Sequence, residues 1–472
     1  MGRRVTWCLL GIILGVALLL RLKGITNPLL DDQGWRQADT ASIAVHMLGH
    51  LFDFPRVMIP QLNYDGVVPQ RVELEFPLFP YLLAWTWTLF GWADIWGRLW
   101  AVILTLFGLC GLYDLGRNLI SERAGLLAAA IYALMPLSIY YGRVVMPEPM
   151  AQALSIWALA LIVRWRRAPE RHHIWKIGLV LAGAILAKLP QLMLFPVALL
   201  LGFYPLRQTQ MKKILSYCFF ALCFPMVYYA WVHMNAGTSS QFVSGILKDQ
   251  VVNSGSLNWK LLIKNVQRGL TDSVLFLSGL GLLRLFFKRD NGRLALLTWV
   301  GIGLLYLGIV CVRIPLDYYL IPVLPLAALL SAYALDECKT WYYLVIVLML
   351  LIVVNRESYT YLKPKYQWNP EYLTQAEWIK EHTPSSSVLV LSDPAPMTFY
   401  YAHRVGFRLP FVVEGSGEEF PAQVLSQFPG DYVVRLPKTQ QHELFWKNVR
   451  ELYPEVGPGV YSLKKQKELS RG

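Results

Sequence analysis

Apolar residues along this chain gather in long unbroken runs instead of recurring at the three- and four-residue spacing of a surface helix. A run of about 17 residues or more is long enough to cross a bilayer. Read this way, with two shorter runs taken as a broken pair, the pattern predicts about eleven membrane helices. They fall at 5–22, 98–116, 123–141, 149–165, 176–189, 191–204, 214–232, 271–287, 294–312, 316–334 and 341–355. Arg3 and Arg4 put the N-terminus inside. Arg117, Arg123, the run Arg164-Trp165-Arg166-Arg167, Lys212-Lys213, Lys288-Arg289 and Arg293 then all lie in cytoplasmic loops. That parity holds only if the apolar run 76–92 does not cross, so this run, with Trp85, Trp87 and Trp92, is assigned to the membrane surface.

The polar positions between the first two spans form one long external loop, 23–97. In it Asp31, Asp32, Asp39, Asp53, Asp65, Glu73, Glu75 and Asp94 stand against Lys23, Arg36, Arg56 and Arg71. Loops of this length in a compact architecture usually carry function. The loop begins with Leu30-Asp31-Asp32-Gln33-Gly34-Trp35-Arg36-Gln37-Ala38-Asp39-Thr40, three carboxylates and a guanidinium at the membrane boundary. Ile43, Met47 and Leu51 follow at i, i+4 and i+8, which predicts an amphipathic helix along the surface with the Asp pair at its N-terminus. A capped, solvated turn and a catalytic acid held at the membrane edge both fit this pattern.

The same parity puts Gly142-Arg143-Val144-Val145-Met146-Pro147-Glu148-Pro149 outside, where a Glu between two prolines is not expected in a regular helix. Glu148 and Arg143 are either an interfacial ion pair or, set beside Asp31 and Asp32 on the same face, the second half of an acid/base site sharing one cavity with them. Lys188-Leu189-Pro190 breaks the run 176–204, and a Lys at such a break either snorkels or meets an anion. Arg313 with Asp317, Tyr318 and Tyr319 makes another external cluster. Lys188 and Arg313 would suit a lipid phosphate. After residue 355 the chain turns polar, with a helical stretch 372–382 and strands at 387–391, 432–436 and 460–463. This predicts a small soluble α/β domain, 356–472, outside the membrane and behind a membrane domain 1–355, serving support or acceptor recognition.

Composition agrees. The chain is 55% hydrophobic and only 16% charged, which marks a polytopic α-helical membrane protein. The net charge of +13 sits in short loops between apolar runs, so it is a topology signal and not a nucleic-acid surface. Five of the six cysteines, at 8, 110, 218, 223 and 311, lie in apolar runs and Cys338 in a short loop, so no disulfide framework is expected. Arg21-Leu22-Lys23 follows the first run without a cleavage signature, which indicates an uncleaved first helix. No dinucleotide fingerprint or phosphate loop is present.

Taken together these residues resemble the GT-C membrane glycosyltransferases, in the bacterial branch related to protein O-mannosyltransferases and the lipid A aminoarabinose transferase. The family's essential Asp in the first external loop resembles Asp31 or Asp32, and the interfacial helix after it resembles Trp35-Arg36-Gln37-Ala38-Asp39-Thr40-Ala41. Its Glu-x-Pro is similar to Glu75-Phe76-Pro77, with Phe76 where a Lys is often found. Its second acidic residue resembles Glu148, and Lys188-x-Pro190 and Asp317-Tyr318-Tyr319-Leu320-Ile321-Pro322 are also similar to family features. The resemblance implies a GT-C fold in the plasma membrane and transfer of a sugar from a polyprenyl-phosphate donor to a lipid, glycan or protein acceptor on the external face. The expected chemistry is a carboxylate that takes the acceptor proton and cations that hold the departing phosphate, with inversion at C1. It nominates Asp31 or Asp32 as base and Glu148 as positioning group or second carboxylate. Arg36, Gln37, Asp39, Glu75, Arg143, Lys188, Arg313 and Tyr318 are nominated for substrate binding. Relatives that pair the Glu with a later His hold a metal there, which makes Glu75 the candidate ligand for a divalent ion. This chain has Lys248-Asp249-Gln250 where that His is expected, and His233 is the nearby histidine, so metal dependence stays open. The rival class is a transporter or flippase of lipid-linked glycans, against which the charges lie at the outer boundary and no internal repeat is visible. An oligosaccharyltransferase would need a Trp-Trp-Asp motif that the C-terminal region lacks.

Overall fold

The computed structural model describes residues 2–205, 208–237, 242–253, 257–287, 293–336, 352, 354, 356–392, 396–409, 420–437 and 442–463, with the side chains of 249 and 250 outside that set. In chain order the helices that frame the site are Arg3–Leu22 (α1), Gly34–Met47 (α2), Leu78–Phe90 (α3), Asp94–Leu119 (α4), Glu122–Leu134 (α5), Pro136–Tyr141 (α6), Glu148–Arg167 (α7), Ile174–Ala187 (α8) and Leu194–Phe203 (α9). Met211–Asn235 (α10), Trp259–Leu270 (α11), Asp272–Phe287 (α12), Arg293–Tyr306 (α13) and Leu324–Leu335 (α14) follow. Among the described residues five helical stretches are long and apolar enough to cross a membrane: Arg3–Leu22, Asp94–Leu119, Gln208–Asn235, Arg293–Cys311 and Asp317–Leu335.

Several expected spans are therefore interrupted, each for a local reason. The run 123–141 starts as α5, capped by the Ser121 hydroxyl, which accepts from the Ala124 amide at 3.1 Å. It stops at Leu134 because Pro136 holds Met135 in an extended conformation, ψ 132°, and the chain restarts as α6. The run 176–204 breaks at Lys188, φ −158° and ψ 114°, as the expected broken pair, and passes through a 3₁₀ turn, Leu189–Met193, before α9. Glu148 is not excluded from a helix as expected: it opens α7, since Pro149 in the first turn lacks only an N–H that would have had no partner there. The span at 271–287 is preceded by α11, which the hydrophobic pattern did not predict. The two meet at Thr271, φ 77°, and are bent by 94°. The eleventh expected span, 341–355, lies outside the described residues apart from 352 and 354. Helix α3 has 13 residues, about 20 Å of helix, which is short of the ~30 Å hydrocarbon core. Helices α4 and α5 approach at paired glycines, where a Cβ on Gly116 would lie 2.8 Å from the Gly125 Cα.

Beyond residue 369 come helices Pro370–His382 (α15) and Pro396–Ala402 (α16) and a five-stranded sheet. Numbered after a short antiparallel pair in the first loop, Gln61–Leu62 (β1) and Gln70–Arg71 (β2), its strands are Val388–Leu391 (β3), Val405–Arg408 (β4), Tyr432–Val434 (β5), Glu455–Gly457 (β6) and Val460–Ser462 (β7). The order is β4-β3-β5-β7-β6, with β3 parallel to both neighbours and β7 antiparallel to both of its own. The free edge of β4 is covered by the first loop: Gly66 N–H donates to Gly406 O and Gly406 N–H to Asn63 O, both at 3.0 Å. The packing goes deeper than this edge. Leu29, Ala38, Ala41, Ala44 and Met47 share one buried apolar core with Ala376, Ile379, Leu389, Leu391, Met397, Phe399 and Tyr400.

Candidate active site

The turn before α2 is tight. Gln33 is left-handed, φ 59°, and a Cβ on Gly34 would lie 2.9 Å from Leu29 O. No side chain caps α2, and the two carboxylates of the turn go to different partners. Asp31 is fully buried between Arg98, at 3.3 Å, and Arg143, and accepts from Gln37 Nε2 at 2.7 Å. Burial pushes its carboxyl up, but the two guanidiniums and these hydrogen bonds outweigh that and hold it below the usual range. Asp32 keeps 31% of its side chain exposed. Among the described residues its one ion partner is Lys365, whose ammonium also reaches Asp317 at 2.6 Å. Asp317 in turn accepts from the hydroxyls of Tyr141 and Tyr361. Burial raises the Asp32 carboxyl above its ordinary value, and Lys365 opposes this only in part.

A second cluster lies beside the first. Arg36 meets Glu75 at 2.7 Å, Lys188 meets Glu75 at 2.7 Å and Glu148 at 2.9 Å, and the Lys188 ammonium sits 5.6 Å from the centre of the Tyr318 ring. Two cations and two carboxylates balance there, and the two basic side chains depress Glu75 against the effect of burial. Arg143 does not pair with Glu148: the former is taken by Asp31, the latter by Lys188. Gln37 joins the clusters, since its amide donates to Asp31 and to Asp32 O at 3.1 Å and its Oε1 accepts from Val145 N–H at 3.2 Å. Gln37 thus links the Asp31 turn to the segment before Glu148, and among the described residues Asp32 and Glu148 line different pockets. Glu148 lines a small internal void with Tyr132, Ser138, Tyr141 and Gln152. Asp32 lines a separate open cleft of about 710 Å³ with Arg268, Asp272, Glu357, Tyr361 and Lys365.

Asp39 is buried under the Tyr64 hydroxyl, which donates at 3.3 Å. Burial pushes its carboxyl up to about 7, although Arg36 and Arg408 pull it down. Arg313 does not join Asp317 or Tyr318; its guanidinium donates to Gly308 O and Ile309 O and closes its own helical turn. Lys188 and Arg313, expected to suit a lipid phosphate, each already have protein partners. A divalent ion at Glu75 does not fit the donor set either, because both oxygens face Arg36 and Lys188. His233 pairs with Glu73, at 3.0 Å. Among the described residues no group of three His, Cys, Asp or Glu is placed to hold a metal. Lys365 and Arg98 were missed in the sequence. Arg98 stands at the start of an apolar run, and Lys365 lies in the polar stretch after residue 355, with its partner 333 residues away.

Residues 74–232 match the family model described as dolichyl-phosphate-mannose-protein mannosyltransferase. Over the whole chain the structure is similar to ArnT from Cupriavidus metallidurans bound to undecaprenyl phosphate. The TM-score is 0.66 and the identity 14%, over 96% of this chain and 97% of that one. The chain has the GT-C glycosyltransferase fold. The same GT-C likeness extends to the Archaeoglobus fulgidus oligosaccharyltransferase tethered with an acceptor peptide, with TM-score 0.64 and 13% identity, covering 92% of this chain and 69% of that one. The arabinofuranosyltransferase AftD from Mycobacteria is similar at TM-score 0.53 and 15% identity, covering 92% of this chain and 37% of that one. A sequence comparison with curated proteins finds no match. Within the GT-C fold, the matched segment contains Glu75, Arg143, Glu148 and Lys188 but not the Asp31-Asp32 turn.

Proposed function

We propose that this chain is a membrane glycosyltransferase that moves a sugar from a polyprenyl-phosphate donor to an acceptor on the external face of the plasma membrane, inverting C1. One observation carries the reading: a partly exposed carboxylate, Asp32, and an ammonium, Lys365, face the same open cleft. Asp31 is buried between two arginines that hold it ionised, whereas Asp32 is partly exposed on the cleft, which favours Asp32 as the base. In the transfer, Asp32 accepts the proton of the acceptor hydroxyl, the acceptor oxygen bonds to C1, and the C1–O bond to phosphate breaks. The polyprenyl phosphate leaves with the electron pair, and Lys365 neutralises it. Lys188 belongs to the framework here, tying Glu148 to Glu75 and Arg36 so that Glu148 holds the α7 end of the site. The ArnT structure, which contains undecaprenyl phosphate, supports the donor class by fold analogy alone.

The test is Asp32→Asn, read by mass spectrometry of envelope glycans and by undecaprenyl phosphate retention on the purified protein. Transfer should fall on the order of a hundredfold or more, with the lipid still retained. Normal transfer in this variant would overturn the assignment.

A further inference from the structure

Helix α11 has no role in the reading above, yet it carries a regular charge pattern. Lys260, Lys264 and Arg268 recur at i, i+4 and i+8, so they form one stripe along the helix. The opposite side is apolar, and it is divided in two. Leu262 and Leu270 are buried against the protein, whereas Trp259 and Ile263 are 49% and 54% exposed. Asn258 N–H to Val312 O, at 2.9 Å, and Asn265 Nδ2 to Pro315 O, at 2.8 Å, fix the helix against the segment leading to Asp317. Its axis turns by 94° into α12, so if α12 crosses the membrane, α11 runs along the surface. In that pose Trp259 and Ile263 sink into the acyl boundary and the basic stripe lies at the level of the lipid headgroups.

The three cations have no ion pair or hydrogen bond among the described residues. Only Arg268 meets acidic neighbours, Asp272 and Glu357, across the cleft that also holds Asp32. From Lys260 to Arg268 the stripe is about 12 Å long, more than one phosphate can span. An array of headgroup phosphates matches that length, and one phosphate does not.

We propose that α11 docks on anionic phospholipid, taking the phosphates of several bulk lipids along Lys260, Lys264 and Arg268, on the same face of the membrane as the Asp32 cleft. The donor lipid, with one phosphate, is not the occupant of this stripe. The proposal concerns lipid binding and stands whether or not Asp32 is the base of a transfer reaction.

Native mass spectrometry of the full chain, delipidated and then titrated with phosphatidylglycerol, phosphatidylcholine or undecaprenyl phosphate, tests it. Wild type should retain several phosphatidylglycerols in preference to phosphatidylcholine. Lys260→Gln with Lys264→Gln should lose most of that preference, at least fivefold, and Lys260→Arg with Lys264→Arg should keep it. Undecaprenyl phosphate retention should be the same in all three. Two results would overturn the proposal: an unchanged lipid preference in the Gln pair, or a loss confined to undecaprenyl phosphate, which would assign the stripe to the donor.

Discussion

Asp31 and Asp32 differ by one position and by nearly everything else. One is sealed between two guanidiniums, and the other shares a single ammonium with Asp317 and faces a cleft. Lys365 lowers the Asp32 carboxyl toward its ordinary range, so removing it lets burial act unopposed. Lys365→Met should therefore move the acid limb of the pH–rate profile to higher pH, as well as weakening donor retention. An unshifted limb with weakened retention would confine Lys365 to the phosphate. The sequence marked the turn, the second carboxylate Glu148 and the basic side chain Lys188, because charges at the ends of apolar runs are conspicuous. It could not separate Asp31 from Asp32. That choice depends on Arg98, Arg143 and Lys365, partners set by tertiary contact and invisible to local pattern.

At the scale of elements, what was legible followed from residues that act on their own backbone. Pro190 announced the break after Lys188, and the strands at 387–391, 432–436 and 460–463 announced themselves by their β-branched and apolar content. Pro136 carried the same signal inside the run 123–141, but the hydrophobicity on either side concealed it. Helix α11 was unread because its apolar positions are too few to resemble a span. Helix packing was not legible at all, and the glycines supply it here. With Gly116 and Gly125 almost in contact, Gly125→Val must push α4 from α5, since its Cβ would also meet Tyr113 O at 2.5 Å. Overpacking of this kind destabilises by ~1–3 kcal/mol. A lower thermal midpoint by tryptophan fluorescence in detergent should follow, and a midpoint equal to wild type would show that the helices can slide apart freely.

Taken whole, the protein buries α2 against α15, α16 and the β3 strand, and the Asp39–Tyr64–Arg408–Asp65 group lies at that junction. Arg408 pairs with Asp65 and stands 4.0 Å from the Tyr64 ring centre. Asp39, with a folded value of about 7 against about 3.9 unfolded, stays protonated in the fold over an interval where the unfolded chain is ionised. Its contribution is therefore fully present below about pH 4 and is lost as pH rises to about 7. Asp39→Asn should leave the thermal midpoint unchanged near pH 4 and raise it at pH 8. An equal effect at both values would remove Asp39 as the source.

That junction also orders events in time. Residues 29–47 leave the ribosome more than 300 residues before the apolar surface that buries them, from Ala376 to Tyr400. The Asp32 carboxylate waits in the same way for Lys365, 333 residues later. Until then the first loop has neither its core nor its counter-ion. A nascent chain can therefore insert its early helices in the bilayer while the Asp32–Lys365 pair is still unmade, and the cleft takes its final charge only once the segment around Lys365 has folded back.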